Sequence, residues 1–191
     1  MDVIRTRLAG LLVLKPKVFG DARGYFYESW NDRDFRDAGV GETFVQDNRS
    51  FSTGPVVRGF HFQTGEHAQG QLVWPVEGTI FDVCVDLRPD SETFGQWLSF
   101  TLNADEPRQV YMPPGFAHGF CVLSPTAAVH YKCTRYYEPE SEGGIVWNDP
   151  SLAVPWPLTD PIVSERDAGF PTFIEVARGL GVPVPDKVGA A

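Results

Sequence analysis

A chain of 191 residues, 42% of them apolar, is long enough to bury a substantial core in one domain and to carry a short tail. Its net charge of −9 argues against nucleic acid or an anionic membrane surface as a partner, and admits an anionic small molecule only where arginines gather locally. The 19 Gly and 16 Pro suit strands and turns better than helices. No apolar stretch approaches the ~20 residues that span a bilayer, and Met1 to Thr6 lack a signal-peptide core. Three cysteines, Cys84, Cys121 and Cys133, sit inside apolar runs; an odd number there reads as reduced core thiols and a cytoplasmic location.

In chain order, strand signals fall at residues 10–14, 25–28, 56–63, 71–76, 79–87, 97–102, 108–112, 119–123 and 128–137. The clearest is 79–87, where Phe81, Val83, Val85 and Leu87 alternate with Ile80, Asp82, Cys84 and Asp86. Turn residues separate the strands at Arg88-Pro89-Asp90-Ser91, Pro113-Pro114-Gly115 and Glu142-Gly143-Gly144. Helices are few and short: Asn31 caps a turn or two ending at Gly39, and Ser164-x-x-Asp167 and Thr172-x-x-Glu175 read as capping boxes. The Pro/Gly/Ala-rich tail after Gly179 is expected to be disordered over its last ten or so residues. Without a linker, repeat or low-complexity tract, residues 1–191 are expected to form a single all-β domain, a sandwich or barrel.

Two short runs lie far apart, Arg58-Gly59-Phe60-His61-Phe62-Gln63 and Pro113-Pro114-Gly115-Phe116-Ala117-His118-Gly119-Phe120. Each ends a strand-like stretch with one histidine among aromatics and glycines, a layout that resembles the two half-motifs of a cupin jelly-roll barrel. Cupin metal sites usually read His-x-His, then Glu, then a distant His. Gln63 in place of the second histidine breaks that set, so no metal or other cofactor is expected and His61 is free for proton transfer. His61 shares its face with Gly59 and Gln63, and reads either as a site group or as a core histidine satisfied by a buried neighbour. Gly59 can host a bulge that re-aims Arg58. His118 reads either as a site residue or as a partner of a turn carbonyl. On the 128–137 strand, Val129 and Cys133 mark the core side, so Tyr131 points inward and His130 outward without a role. His67 lies in a polar loop and is expected to be solvated. Asp167, third in a capping box, reads by itself as a helix-start residue. Arg23, Arg49, Arg58, Arg135 and Arg166 are scattered, and matter only if strand pairing gathers them.

Taken together, the chain from Val3 to about Pro171 resembles the dTDP-4-dehydrorhamnose 3,5-epimerase family. The resemblance is carried by Phe19-Gly20-Asp21-Ala22-Arg23-Gly24-Tyr25-Phe26-Tyr27-Glu28, Phe44-Val45-Gln46-Asp47-Asn48-Arg49-Ser50, the His61 and His118 runs, Phe81 to Arg88, Tyr131-Lys132-Cys133-Thr134 and Val146-Trp147-Asn148-Asp149-Pro150. It implies a metal-free cupin-type jelly-roll β-barrel acting on a dTDP-4-keto-6-deoxyhexose. In that scheme His61 is the general base, Asp167 its orienting carboxylate and Tyr131 the acid across the sugar ring. Arg23, Glu28, Gln46, Asn48, Arg58, His118, Glu142 and Arg166 match positions that hold the sugar or diphosphate, and Tyr137 one that stacks on thymine. The resemblance further implies a homodimer that exchanges N-terminal strands, in which Arg23 and Glu28 serve the neighbouring site.

One position departs from the family. After Ala68-Gln69-Gly70 the family usually has a lysine placed to stabilise the enolate oxygen, and here Gln71 brings a neutral donor. Three outcomes follow: slow epimerisation, epimerisation at one carbon, or nucleotide-sugar binding without turnover. Single-centre inversion at C3 is favoured, because a less stabilised enolate is reprotonated before a second deprotonation can occur. The competing readings are a related cupin that moves the ketone from C4 to C3, a ligand-binding cupin, and a metal-dependent oxygenase that Gln63 disfavours.

Overall fold

The computed structural model describes residues 1–184 and 188–191. In chain order its elements are β1 (Asp2–Arg5), β2 (Leu12–Lys15), β3 (Phe19–Asp21), β4 (Gly24–Phe26), α1 (Asp32–Ala38), β5 (Gln46–Thr53), β6 (Val57–Gln63), β7 (Gln71–Glu77), β8 (Thr79–Asp86), β9 (Gln96–Asn103), β10 (Gln109–Met112), β11 (Phe116–Val122), β12 (Thr126–Cys133), β13 (Glu142–Gly144), α2 (Glu165–Ala168), α3 (Phe173–Gly179) and β14 (Gly189–Ala190). Two six-stranded sheets, ordered β1-β2-β10-β7-β12-β5 and β13-β6-β11-β8-β9-β14, make the all-β jelly roll that the sequence leads one to expect. The β3–β4 hairpin stands apart as a two-stranded ribbon.

Three apolar layers hold the sheets. Between them, Val13, Val73, Val110, Met112 and Val129 of the first sheet meet Ile80, Cys84, Leu102, Phe116, Phe120 and Val122 of the second. On the outer face of the second sheet, Phe60, Val83, Val85 and Trp97 pack on Ile145, Leu152, Phe173 and Ala177. On the outer face of the first, Leu12, Leu14, Leu72, Trp74 and Tyr111 pack on Phe35 and Ala38 of α1. Strand β8 is covered on both faces, which is why its two alternating sets are both largely buried.

The short helices start and stop where their caps dictate. Asn31 accepts a hydrogen bond from the Asp34 N–H, and Gly39 closes α1 at φ +106°. Thr172 and Glu175 complete a reciprocal capping box at the start of α3. At α2 only half a box forms: the Ser164 hydroxyl accepts from the Asp167 N–H, while the Asp167 carboxylate turns away to β6.

Two expectations are corrected. Glu142-Gly143-Gly144 is not a turn but β13, an edge strand paired with Gln63, Phe62 and His61 of β6. Its glycines are required by packing, since a Cβ at Gly143 would sit 2.6 Å from the Phe62 ring and one at Gly144 would run into the Phe170 ring. The tail does not end in disorder at residues 188–191. Gly189 and Ala190 pair in parallel with Gln96 and Trp97, completing the free edge of β9, and the Ala191 N–H reaches the Trp97 carbonyl. Residues 185–187 of that expected disordered stretch lie outside the described residues.

The β6–β11 register slips between His118 and Phe120, a bulge centred on Gly59 as expected. Gly59 has φ +115°, and a Cβ there would lie 2.6 Å from Gly119 Cα and 2.7 Å from the His118 carbonyl. Backbone strain and backbone overlap therefore act together. Gly59→Ala is expected to lose ~2 kcal/mol or more of stability in urea unfolding, whereas Gly65→Ala, at an open site, should lose about half that or less.

Candidate active site

Residues of both sheets line a cleft of about 380 Å³. Its floor and walls come from both sheets. Strand β6 supplies Arg58, His61 and Gln63, β11 supplies His118 and Phe120, and β5 supplies Gln46, Asn48 and Ser50. From β7 comes Gln71, from β12 Tyr131 and Cys133, and the rim adds Gln69, Tyr137, Glu142 and Arg166. Most of the expected site residues are thus brought together, with His61 and Tyr131 on opposing sheets across one cavity. His130, as expected, lies outside, stacked on Trp74 at 4.8 Å.

The bulge at Gly59 organises one wall. It frees the Gly59 N–H to donate to Asp167 Oδ2 at 2.9 Å, while Asp167 Oδ1 lies 3.0 Å from His61 Nε2. Asp167 is 3% exposed. Burial alone would raise its pKa, but the bonds from His61 and Gly59, the nearby imidazole charge and the Ser164 contact outweigh it, holding the carboxyl well below the usual carboxylate range. An ionised Asp167 fixes one ring nitrogen of His61 and leaves the other for a ligand. Arg166 also reaches His61 Nε2 at 3.3 Å and pairs with Glu142 at 3.0 Å.

A second imidazole–carboxylate pair lies alongside. His118 and His61 are register partners on adjacent strands, and His118 Nε2 is 2.6 Å from Oδ1 of the fully buried Asp82. His118 therefore bonds a carboxylate rather than a turn carbonyl. On the facing wall, burial, with a smaller contribution from Cys133, raises the Tyr131 pKa above its ordinary value, so the phenol keeps its proton at neutral pH. The neighbouring Cys133 thiol is pushed up to about 12 by burial and is inert. Gln71 Oε1 is buried without a partner. Arg58 donates to the Ser52 hydroxyl and the Phe51 carbonyl, and among the described residues no carboxylate pairs with it.

Two expected site residues lie elsewhere in the chain. Arg23 sits at the tip of the β3–β4 hairpin, 89% exposed and paired with Asp21. Glu28 borders a separate hollow with Asn31, Lys17 and Phe35. Neither lines the cleft: Arg23 belongs to the ribbon, a sheet of its own, and Glu28 to the segment between β4 and α1. Arg49 lies on the outer face opposite His130, and Arg135 bonds the Thr134 carbonyl at the rim. Sequence reasoning assigned no role to Asp82, Ser50, Gln69, Phe120 or Cys133. The last was readable, since it shares the inward alternation of Tyr131.

All three cysteines are free and buried, as expected. No helix among the described residues is long and apolar enough to cross a membrane.

Residues 5–175 match the family model for dTDP-4-dehydrorhamnose 3,5-epimerase. The Salmonella typhimurium dTDP-4-dehydrorhamnose 3,5-epimerase is 51% identical over 173 residues, covering 90% of this chain and 94% of that protein. The Pseudomonas aeruginosa enzyme of the same name is 50% identical over 177 residues, 92% of this chain and 97% of its own. Among solved structures, a dTDP-6-deoxy-D-glucose-3,5-epimerase of Legionella pneumophila in complex with dTDP-4-keto-L-rhamnose superimposes with a TM-score of 0.89 at 42% identity, covering 97% of this chain and 99% of that one. A 3'-monoepimerase of Streptomyces bikiniensis in complex with dTDP-quinovose gives 0.85 at 29% identity, covering 97% and 91%.

The low Asp167 pKa has a stability consequence. A depressed folded-state pKa contributes stability that is present above the unfolded value of about 3.9 and is lost as pH falls through the folded value. Asp167→Asn should therefore cost at least ~2 kcal/mol in urea unfolding at pH 7. The same gap should appear at pH 5 and narrow at pH 3 and below; a gap that ignores pH would remove the ionised carboxylate from this role.

Proposed function

The chain belongs to the dTDP-4-dehydrorhamnose 3,5-epimerase family, and from that premise we propose that it inverts C3, and more slowly C5, of a dTDP-4-keto-6-deoxyhexose in deoxysugar biosynthesis. The observation that carries this reading is a carboxylate-held imidazole and a half-buried, protonated phenol on opposing walls of one cleft. The hydrogen on a carbon next to a ketone is acidic, because its removal leaves an enolate. Inverting that carbon needs a base on one face and an acid on the other.

His61 takes the C3 proton, and Asp167 stabilises the imidazolium that forms. Tyr131 returns a proton from the opposite face, and solvent exchange then resets both groups. The enolate oxygen requires a donor while its charge lasts. Gln71, whose side chain has no hydrogen-bond partner among the described residues, and His118, oriented by Asp82, are the candidates that the cleft offers. A neutral amide at position 71 spreads that charge less than a lysine would, which limits the second inversion more than the first.

Recognition falls to the rim. Arg58 and Arg166 supply positive charge for a diphosphate inside an acidic protein. Tyr137 offers an aromatic face for the thymine, with Gln46, Asn48 and Glu142 beside it. The reading assigns no metal or organic cofactor to the reaction. The separate β3–β4 ribbon exposes Phe19, Tyr25 and Phe26, the last two at 63% and 65%, and supports a homodimer in which the ribbon and the segment after it carry Arg23 and Glu28 to the neighbouring cleft. Free thiols throughout fit a single-domain cytoplasmic enzyme.

In heavy water, NMR of the 4-keto substrate is expected to register faster deuterium exchange at C3 than at C5. His61→Asn should slow both by ~100-fold or more, and Gln71→Lys should raise the C5 rate relative to C3 by ~10-fold. A 3-keto product would replace inversion by ketone migration, and exchange at neither carbon with binding retained would leave only a nucleotide-sugar-binding protein. Arg58→Ala should raise the dissociation constant for thymidine diphosphate at least ~10-fold by calorimetry, and unchanged affinity would remove Arg58 from the phosphate site.

A further inference from the structure

The segment between β12 and the 3-10 turn at Pro139–Ser141 pairs with no strand among the described residues, yet it carries Tyr137 and leads to Glu142. Three glutamines from three other stretches supply its missing partners. Gln69 donates to the Arg135 carbonyl at 2.9 Å. Gln46 accepts from the Tyr137 N–H at 3.0 Å. Gln63 bonds Glu138 twice, its Oε1 accepting from the N–H at 3.2 Å and its Nε2 donating to the carbonyl at 2.5 Å. A carboxamide that takes both groups of one residue does what a neighbouring strand would do.

This arrangement is more than desolvation bookkeeping. Tyr136 and Tyr137 are exposed, so water could satisfy much of the segment. Instead, three of the cleft's four glutamine side chains bind the rim, and among the described residues only Gln71 is left unpartnered. Gln63 is itself 8% exposed, so its bonds form where water does not compete freely. Beyond the clasp the rim is tied further: the Tyr137 phenol donates to Glu142 at 3.0 Å, and Glu142 takes Arg166. Fixing an irregular segment before the ligand arrives removes the ordering cost from binding.

We infer that Gln63 is a positioning residue for nucleotide recognition. Its paired bonds to Glu138, helped by Gln46 and Gln69, hold Tyr137 and Glu142 in place for a nucleoside diphosphate. The inference rests on the proposed reading of the cleft and assigns Gln63 no part in proton transfer. It also gives position 63 a use in place of metal ligation, because both ends of the amide are consumed by the backbone.

The test is Gln63→Met, similar in length but unable to pair with either Glu138 group. Thymidine diphosphate should bind at least ~10-fold more weakly by calorimetry, with KM rising in parallel and kcat staying within ~3-fold. The Tyr137 and Glu138 amides should lose protection in hydrogen exchange. Should Gln63→Met fail to fold, Gln69→Met removes a more exposed pin and is expected to shift affinity and protection in the same direction by less. Unchanged affinity in a folded Gln63→Met, or a kcat that falls while KM does not move, overturns the inference. If the unaltered protein does not bind thymidine diphosphate, the functional reading fails instead. The amide exchange then decides the clasp alone: lost protection upholds it and retained protection refutes it.

Discussion

A single buried carboxylate ties a C-terminal helix to a strand 108 residues earlier in the chain. Asp167, on a four-residue helix near the C-terminus, receives the Gly59 N–H with one oxygen and meets the His61 ring with the other. An ionised group so little exposed persists only because its partners satisfy it. Those partners exist only because β6 bulges at Gly59, which turns an N–H out of the ladder and sets His61 toward the cavity. Helix start, bulge and imidazole orientation are one interaction, and none of the three would hold its place without the others.

The rest of the cleft repeats the theme of polar groups held by polar groups. His118 is held by Asp82, Arg166 by Glu142, and the rim backbone by glutamines. The acidic protein nonetheless presents positive charge at the mouth, because Arg58 bonds, among the described residues, only neutral oxygens. Local geometry, not net charge, sets the potential that an anion meets.

How far the site could be read beforehand varied with the residue. The His61 and His118 runs stood out by composition, and Tyr131 followed from the alternation around Val129 and Cys133. By contrast β5, an eight-residue strand, gave no strand signal. Its inward positions are Gln46, Asn48, Ser50 and Ser52; the first three line a polar cleft and the last accepts from Arg58, so the apolar period that marks a strand is absent where the strand is functional. In β13, two glycines mimic a turn because aromatic rings from Phe62 and Phe170 occupy the space of their side chains.

The sequence by itself determined the all-β class, most strand positions, the helix caps at Asn31 and Thr172, the inward face of Tyr131 and, through ordered resemblance, the family. These depend on periodicity and turn chemistry within a few residues, which a linear chain displays directly. Only the tertiary structure decided that Asp167 leaves its capping box for a bulge 108 residues away, that Asp82 holds His118, that glutamines brace the rim, and that Arg23 and Glu28 stand outside the cleft. Those outcomes depend on which strands become neighbours and in what register, and pairing between distant segments is fixed by burial of the whole core rather than by any local run of residues.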